Sequence, residues 1–189
     1  MIEKGLNSPL SSSCGRWFDA FAAILGLSPE RVSYEGQAAM QLESLAASEF
    51  SQQVNNTYPY YIEQQQGMFI INWQPLWLAV LTELQNQQEK GVIAARIHHS
   101  LSAATAEWLM KLADQTRTNT IVLSGGVFQN RLLLESVIEK LKLEGKTVLS
   151  AEKYLLNDGG IALGQTLVAR LYIQKKFSLH AYRMRSKLL

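Results

Sequence analysis

The chain has 189 residues, 47% of them hydrophobic and 18% charged, with 18 lysines and arginines against 16 aspartates and glutamates. That balance excludes a disordered chain, and no apolar run reaches the roughly 18 residues that a membrane-crossing helix needs. What remains is a soluble globular unit with enough chain to bury a core.

The first expected element is a helix over SSSCGRWFDAFAAILGL, where serines stand ready as N-caps and Trp17, Phe18, Phe21, Ile24 and Leu25 recur at three- and four-residue steps. Gly26 and Pro29 are its expected stop. Arg16 and Asp19, three apart, reach the same face of the helix start, where an acidic side chain can either bind ribose hydroxyls or pair with the arginine. Cys14 has no companion cysteine and no evident base, and reads as a small buried thiol. Its isolation excludes an internal disulfide, and the opening MIEKGLNSPLSSS has no basic region leading into an apolar one, so a cytoplasmic setting is expected.

A second helix follows in GQAAMQLESLAASEF, with Met40, Leu42, Leu45 and Phe50 as its apolar positions. Glu35 and Gly36 make the turn before it. TYPYYIE and GMFIINW are rich in β-branched and aromatic residues and predict two short strands, a hairpin with a long connection. PLWLAVLTELQNQQEKG then has Pro75 early and Gly91 late, the asymmetry of helix start and stop. From Val92 to about Ala113 a longer helix carries Ile97, Leu101, Ala104, Trp108 and Leu112 as one stripe. Within it His98 and His99 are adjacent, so they project about 100° apart and cannot form a helical i, i+4 metal pair; packing or surface roles are expected.

TNTIVLSGGVFQNRLLLESVIEKLKLEGKTVLS reads as a strand, a glycine loop, a helix and a second strand, a unit that places ligands at the carboxyl ends of its strands. Gly125 and Gly126 either let backbone N–H groups approach a phosphate beside a helix N-terminus or simply make a tight turn. Asn130, on the first helical turn, can bond a ribose or base, or face water. The last element, NDGGIALGQTLVARLYI, is a second glycine loop feeding a helix. Its Asp158 can hold a divalent metal against phosphate oxygens or cap the helix. Residues 1–158 carry 12 basic and 16 acidic groups, whereas residues 159–189 carry six basic and no acidic ones. The basic end is expected to be solvated, with nucleic acid an unlikely partner.

The four segments SSSCGRWFDAFAAILGL, YEGQAAMQLE, LSGGVFQN and NDGGIALGQ, in this order, resemble the carboxyl-terminal part of the HypF family of hydrogenase-maturation carbamoyltransferases. That family shares the domain with tRNA threonylcarbamoyl-adenosine synthases and O-carbamoyltransferases. The resemblance covers roughly residues 8–172. It implies an α/β fold, the second lobe of an actin-like, ribonuclease-H-like ATPase domain, spanning residues 1–173 ahead of a basic tail at 174–189. It further implies that Asp19 binds ribose, that Gly15 and Gly36 line the nucleoside pocket, and that Gly125, Gly126 and Asn130 form the nucleotide loop. Asp158 becomes a ligand to a divalent metal (iron, zinc or magnesium) whose other ligands, histidines of an HxxxH motif, lie outside these residues. ATP or carbamoyl-adenylate is the implied cofactor, and the reaction transfers a carbamoyl group to the carboxyl-terminal cysteine of the partner HypE. The other implied partners are amino-terminal modules of the same enzyme; without them the lobe is expected to be inactive and able to pair with a second copy. The alternative is a non-catalytic module that binds a nucleotide or a partner.

Overall fold

The computed structural model describes residues 5, 11, 13–27, 32–53 and 56–185. Pro29 and Ser12, expected among the stops and caps of the first helix, lie outside them. The regular elements are α1 (Cys14–Ile24), α2 (Gln37–Ala47), β1 (Tyr61–Gln65), β2 (Met68–Asn72), α3 (Gln74–Gln85), α4 (Lys90–Thr116), β3 (Thr120–Leu123), α5 (Arg131–Leu143), β4 (Thr147–Ser150) and α6 (Ile161–Arg185). Short 3-10 turns lie at Phe50–Gln53, Gly126–Gln129 and Asp158–Gly160. The fold is mixed α/β, as expected.

The 27-residue α4 is the axis of the molecule, with α2 and α5 packed along it and α1 against α2. Its first turns are buried nearly all round, including Ile93, Ala94, Ile97, His98, His99, Ser100 and Leu101. A helix enclosed on every side needs small residues where backbones approach. Gly91, expected to end the preceding helix, instead lies in the first turn of α4, where a Cβ would stand 3.3 Å from Glu49 Cγ and 3.5 Å from the Leu45 carbonyl oxygen of α2. The preceding helix stops earlier, at Gln85, because Gln87 turns left-handed (φ 56°) and the Gln88 N–H reaches back to the Glu83 carbonyl. Gly26 (φ 71°) closes α1 with the same pair of reversed bonds, Leu27 N–H to Ala22 O and Gly26 N–H to Ala23 O. On α2 the buried positions are Ala38, Leu42 and Ala46, while Met40 is exposed.

β1 and β2 form an antiparallel hairpin with Tyr61 opposite Asn72 and Gln65 opposite Met68. Its connection is two residues, Gln66 and Gly67, both at positive φ (51° and 82°), rather than the long one expected. Such a turn matches the twist of the strands it joins. The Trp108 indole N–H donates to the Phe69 carbonyl at 2.8 Å and fastens the hairpin to α4.

β3 and β4 are parallel, Thr120 beside Thr147 and Leu123 beside Ser150, with α5 as the crossover. Ile121 and Leu123 are buried beneath the helices, while Val122 and Leu149 on the opposite face are 67% and 51% exposed. α6 follows as one helix that continues past residue 173, with exposed Leu167, Val168, Leu171 and Tyr172. Among the described residues, no helix is long and apolar enough to cross a membrane.

Candidate functional site

Two parallel strands end on the same side of their sheet, so the loops that leave them must meet there. Gly125, after β3, adopts φ 112° and ψ 156°, a conformation open to glycine and costly for other residues. Its N–H donates to the Leu156 carbonyl at 2.8 Å, and a Cβ on Gly126 would lie 3.9 Å from Cβ of Asn157. The segments LSGG and NDGG are thereby joined into one rim.

In the second loop the capping role falls to Asn157, whose Oδ1 accepts the Gly159 N–H at 3.0 Å. Asp158 is exposed, and its carboxylate accepts no hydrogen bond among the described residues. Gly159 and Gly160 are held tightly: an added Cβ would stand 2.7 Å from Leu155 Cδ1 in the first case and 2.6 Å from the Leu155 carbonyl oxygen in the second. A cavity of about 460 Å³ opens beside them, with Lys153, Tyr154 and Leu163 on its walls.

A helix N-terminus offers unpaired N–H groups to an anion. That of α5 is already filled. Glu43 on α2 places Oε1 2.7 Å from the Arg131 nitrogen and 3.2 Å from the Leu132 nitrogen, and Asn130 Oδ1 accepts the Leu133 N–H at 2.9 Å. The helix end expected to receive a phosphate holds a protein carboxylate instead, so an anion at this rim meets the glycine loop and not α5. Asn130 is only 8% exposed, and its amide is turned into the core, where Nδ2 lies 3.0 Å from His98 Nε2. His98 in turn bonds the Ala94 carbonyl through Nδ1 at 2.8 Å. His99 is also buried, its ring stacked on Phe50 at 3.9 Å between centroids and its Nε2 bonded to the Phe50 carbonyl at 2.7 Å.

α1 touches the 3-10 turn Gly126–Gln129 and so brings its own residues to the rim. Asp19 pairs with Arg16 at 3.1 Å, the intrahelical pair that spacing allows, and both side chains are well exposed, so the pair contributes little stability. Gly15 has only Ser13 Oγ, at 3.6 Å, within reach of an added Cβ. Gly36 caps α2 from the left-handed region at φ 79°. Burial pushes the Cys14 thiol up to about 11, so it stays protonated and a poor nucleophile at neutral pH. Beside it Trp17 packs against Trp73 and Trp77 at 5.9 and 5.7 Å. No group of three or more His, Cys, Asp or Glu side chains converges among the described residues, so the residues present do not build a metal centre around Asp158. Sequence reasoning missed Glu43, His98 and Asn157. A carboxylate acting on a distant backbone, or a histidine on a distant side chain, leaves no local spacing to find it by, whereas Asn157 stood in view as an Asx residue at the start of a glycine turn.

A family model described as the second subdomain of a carbamoyltransferase Kae1-like domain matches residues 1–165. Among curated proteins, the carbamoyltransferase HypF2 of Cupriavidus necator is 37% identical over 89% of this chain and 23% of its own length. The carbamoyltransferase HypF of Rhodobacter capsulatus is 40% identical over 89% of this chain and 21% of its own. A crystal structure of full-length HypF in its phosphate- and nucleotide-bound form superposes with a TM-score of 0.80 at 38% identity, covering 91% of this chain and 22% of that one. T. kodakarensis HypF superposes at 0.73 with 26% identity over 91% of this chain and 21% of that one. The chain thus spans about a fifth to a quarter of the length of these relatives.

Proposed function

The chain belongs to the family of the second subdomain of the carbamoyltransferase Kae1-like domain, and on that premise we propose that it is the nucleotide-binding lobe of a HypF-type carbamoyltransferase. The observation that carries this reading is the joining of the two glycine loops through Gly125 and Leu156, in a chain 38% identical to a HypF solved with phosphate and nucleotide bound. In this reading Gly126 offers its N–H to the phosphate while the Gly125 N–H stays on the Leu156 carbonyl and shapes the loop, Asn130 closes the loop behind them, and Asp19 exchanges its exposed arginine partner for ribose hydroxyls. Gly15 and Gly36 leave room for the nucleoside.

The reaction proposed is transfer of a carbamoyl group from carbamoyl-adenylate, made with ATP, to the carboxyl-terminal cysteine of HypE. The partner's thiolate forms a bond to the carbamoyl carbon, the bond to the phosphate oxygen breaks, and the nucleotide leaves with that electron pair. This lobe's part is to bind and orient the leaving phosphate, which the low polarity of a closed cleft makes effective. No nucleophile is required of this chain, and Cys14 as a protonated thiol offers none. Asp158 supplies at most one ligand to a metal completed by residues elsewhere in the whole enzyme. Alone, the lobe binds nucleotide weakly and does not turn over.

Calorimetric titration with ATP or a non-hydrolysable carbamoyl-adenylate analogue tests the assignment, for this chain and for the chain joined to the first subdomain. In the joined protein titrated with a divalent metal present, Asp19→Ala should weaken binding by about tenfold, the loss of one well-placed polar contact, and Asp158→Ala should do the same by removing one ligand of the metal. Unchanged affinity in both variants sinks the site assignment.

A further inference from the structure

His98 is fully buried and touches no solvent from which a ligand could arrive, yet it ends a chain of bonds that leads to the glycine loop. The Ala94 carbonyl can only accept, so the bond at 2.8 Å requires that His98 Nδ1 carry the proton. Nε2 is then a bare acceptor, and the Asn130 atom 3.0 Å from it must be the amide nitrogen, which donates. With that side of the amide fixed, Oδ1 is directed at the Leu133 N–H, 2.9 Å away. A reversed amide would set oxygen against the Nε2 lone pair and NH2 against the Leu133 N–H, two repulsions at once. The Phe18 ring, 5.1 Å from the imidazole, backs the histidine from α1. On the main chain, the Asn130 N–H closes the 3-10 turn on the Val127 carbonyl at 3.1 Å, and its extended backbone (φ −68°, ψ 108°) sets the angle at which the loop enters α5.

We infer that His98 is a positioning residue for the glycine loop: through the tautomer that Ala94 imposes, it fixes the one orientation of the Asn130 amide that caps α5 and closes Gly125–Asn130 into the shape offered to a nucleotide. This rests on the nucleotide-lobe reading for what the loop is for, but not for how it is held. It assigns a role beyond packing to a histidine that never meets the ligand.

The test is nitrogen-15 NMR of the 189-residue chain without nucleotide. Long-range proton–nitrogen correlations of the His98 ring should show the proton on Nδ1. His98→Phe keeps the ring volume and removes the acceptor; it should speed hydrogen exchange at the Leu133 amide by about tenfold, the scale of a lost N-cap, and shift the Gly125 and Gly126 amides. His98→Gln, whose side-chain oxygen can accept the same Asn130 proton, should reverse most of both effects. A proton found on Nε2 overturns the inference. So does exchange that rises equally at Leu133 and at core amides such as Leu101, which would mark a general loss of packing. The tautomer is read on the native chain, so the inference stays open to disproof even if His98→Phe does not fold. Titration of the joined protein with a non-hydrolysable ATP analogue separates the two readings: absent shifts at Gly125 and Gly126 would remove the nucleotide, while the His98 tautomer and Leu133 exchange decide the hold of His98 on the loop.

Discussion

The imidazole of His98 is pushed down to about 4 by burial, with His99 lowering it further and the bond to Ala94 opposing. Burial lowers His99 as well, against its bond to Phe50. In the unfolded chain both gain protons near pH 6.5, so between that pH and about 4 the unfolded state binds more protons than the folded one and stability falls as the pH drops. For His98 the full loss is on the order of 3 kcal/mol, and it is absent above pH 6.5. Urea unfolding at pH 7.5 and 4.5 should show the decline, and His98→Phe should flatten it; an equal slope in both proteins would mean that other groups carry it. Glu43→Gln removes the carboxylate that serves the first two N–H groups of α5, and should lower stability by about 1 kcal/mol, read as a fall in melting temperature. Neither residue announces itself in sequence. Glu43 looks like any solvated residue on an amphipathic helix, because its partner is 88 positions away. For His98 and His99, adjacency was enough to exclude a helical metal pair, but which ring nitrogen bonds what is settled only by packing.

Helices were legible from periodicity where one face is apolar, as in α1 and α5, and the β3–α5–β4 unit was legible because a short apolar run, a glycine pair and a helical pattern follow one another. The boundary between α3 and α4 was not. Gly91 carries the usual sign of a helix stop, but its lack of a side chain serves the approach of α2 to α4, and the true stop at Gln87 is a residue with no turn preference. Glycines at element ends therefore differ in what they tolerate. At Gly145, just after α5 (φ 74°), nothing lies within 4 Å of an added Cβ, so Gly145→Ala costs only the left-handed backbone, about 1 kcal/mol by thermal unfolding. At Gly160 the same methyl meets the Leu155 backbone at 2.6 Å, and Gly160→Ala should displace the NDGG loop and weaken nucleotide binding by the joined protein far more than Gly145→Ala does. Equal effects of the two would contradict the tight loop described.

At the scale of the whole molecule, the acidic body and basic end were plain from charge counts, and the four ordered loops carried the family. The surface left apolar was not legible, since sequence does not tell a face buried against this chain from one buried against another. Val122 and Leu149 on the sheet are exposed, as are Leu167, Val168, Leu171 and Tyr172 on α6, where four apolar residues share one short stretch of helix. The 21.2 kDa chain alone should therefore associate with rising concentration in light scattering, and the joined protein should not. A monodisperse monomer of the lone chain at high concentration would argue against such a sticky face. The bonds from Glu43 to Arg131 and Leu132 also set an order of events in synthesis. Residues 125–130 complete their bonds later still, since the Gly125 N–H is held by the Leu156 carbonyl and the Asn130 side chain by the Leu133 N–H, both of which emerge after them. The rim is thus among the last features to form, and a chain stalled before Leu156 would carry both glycines of the first loop without the bond that sets their geometry.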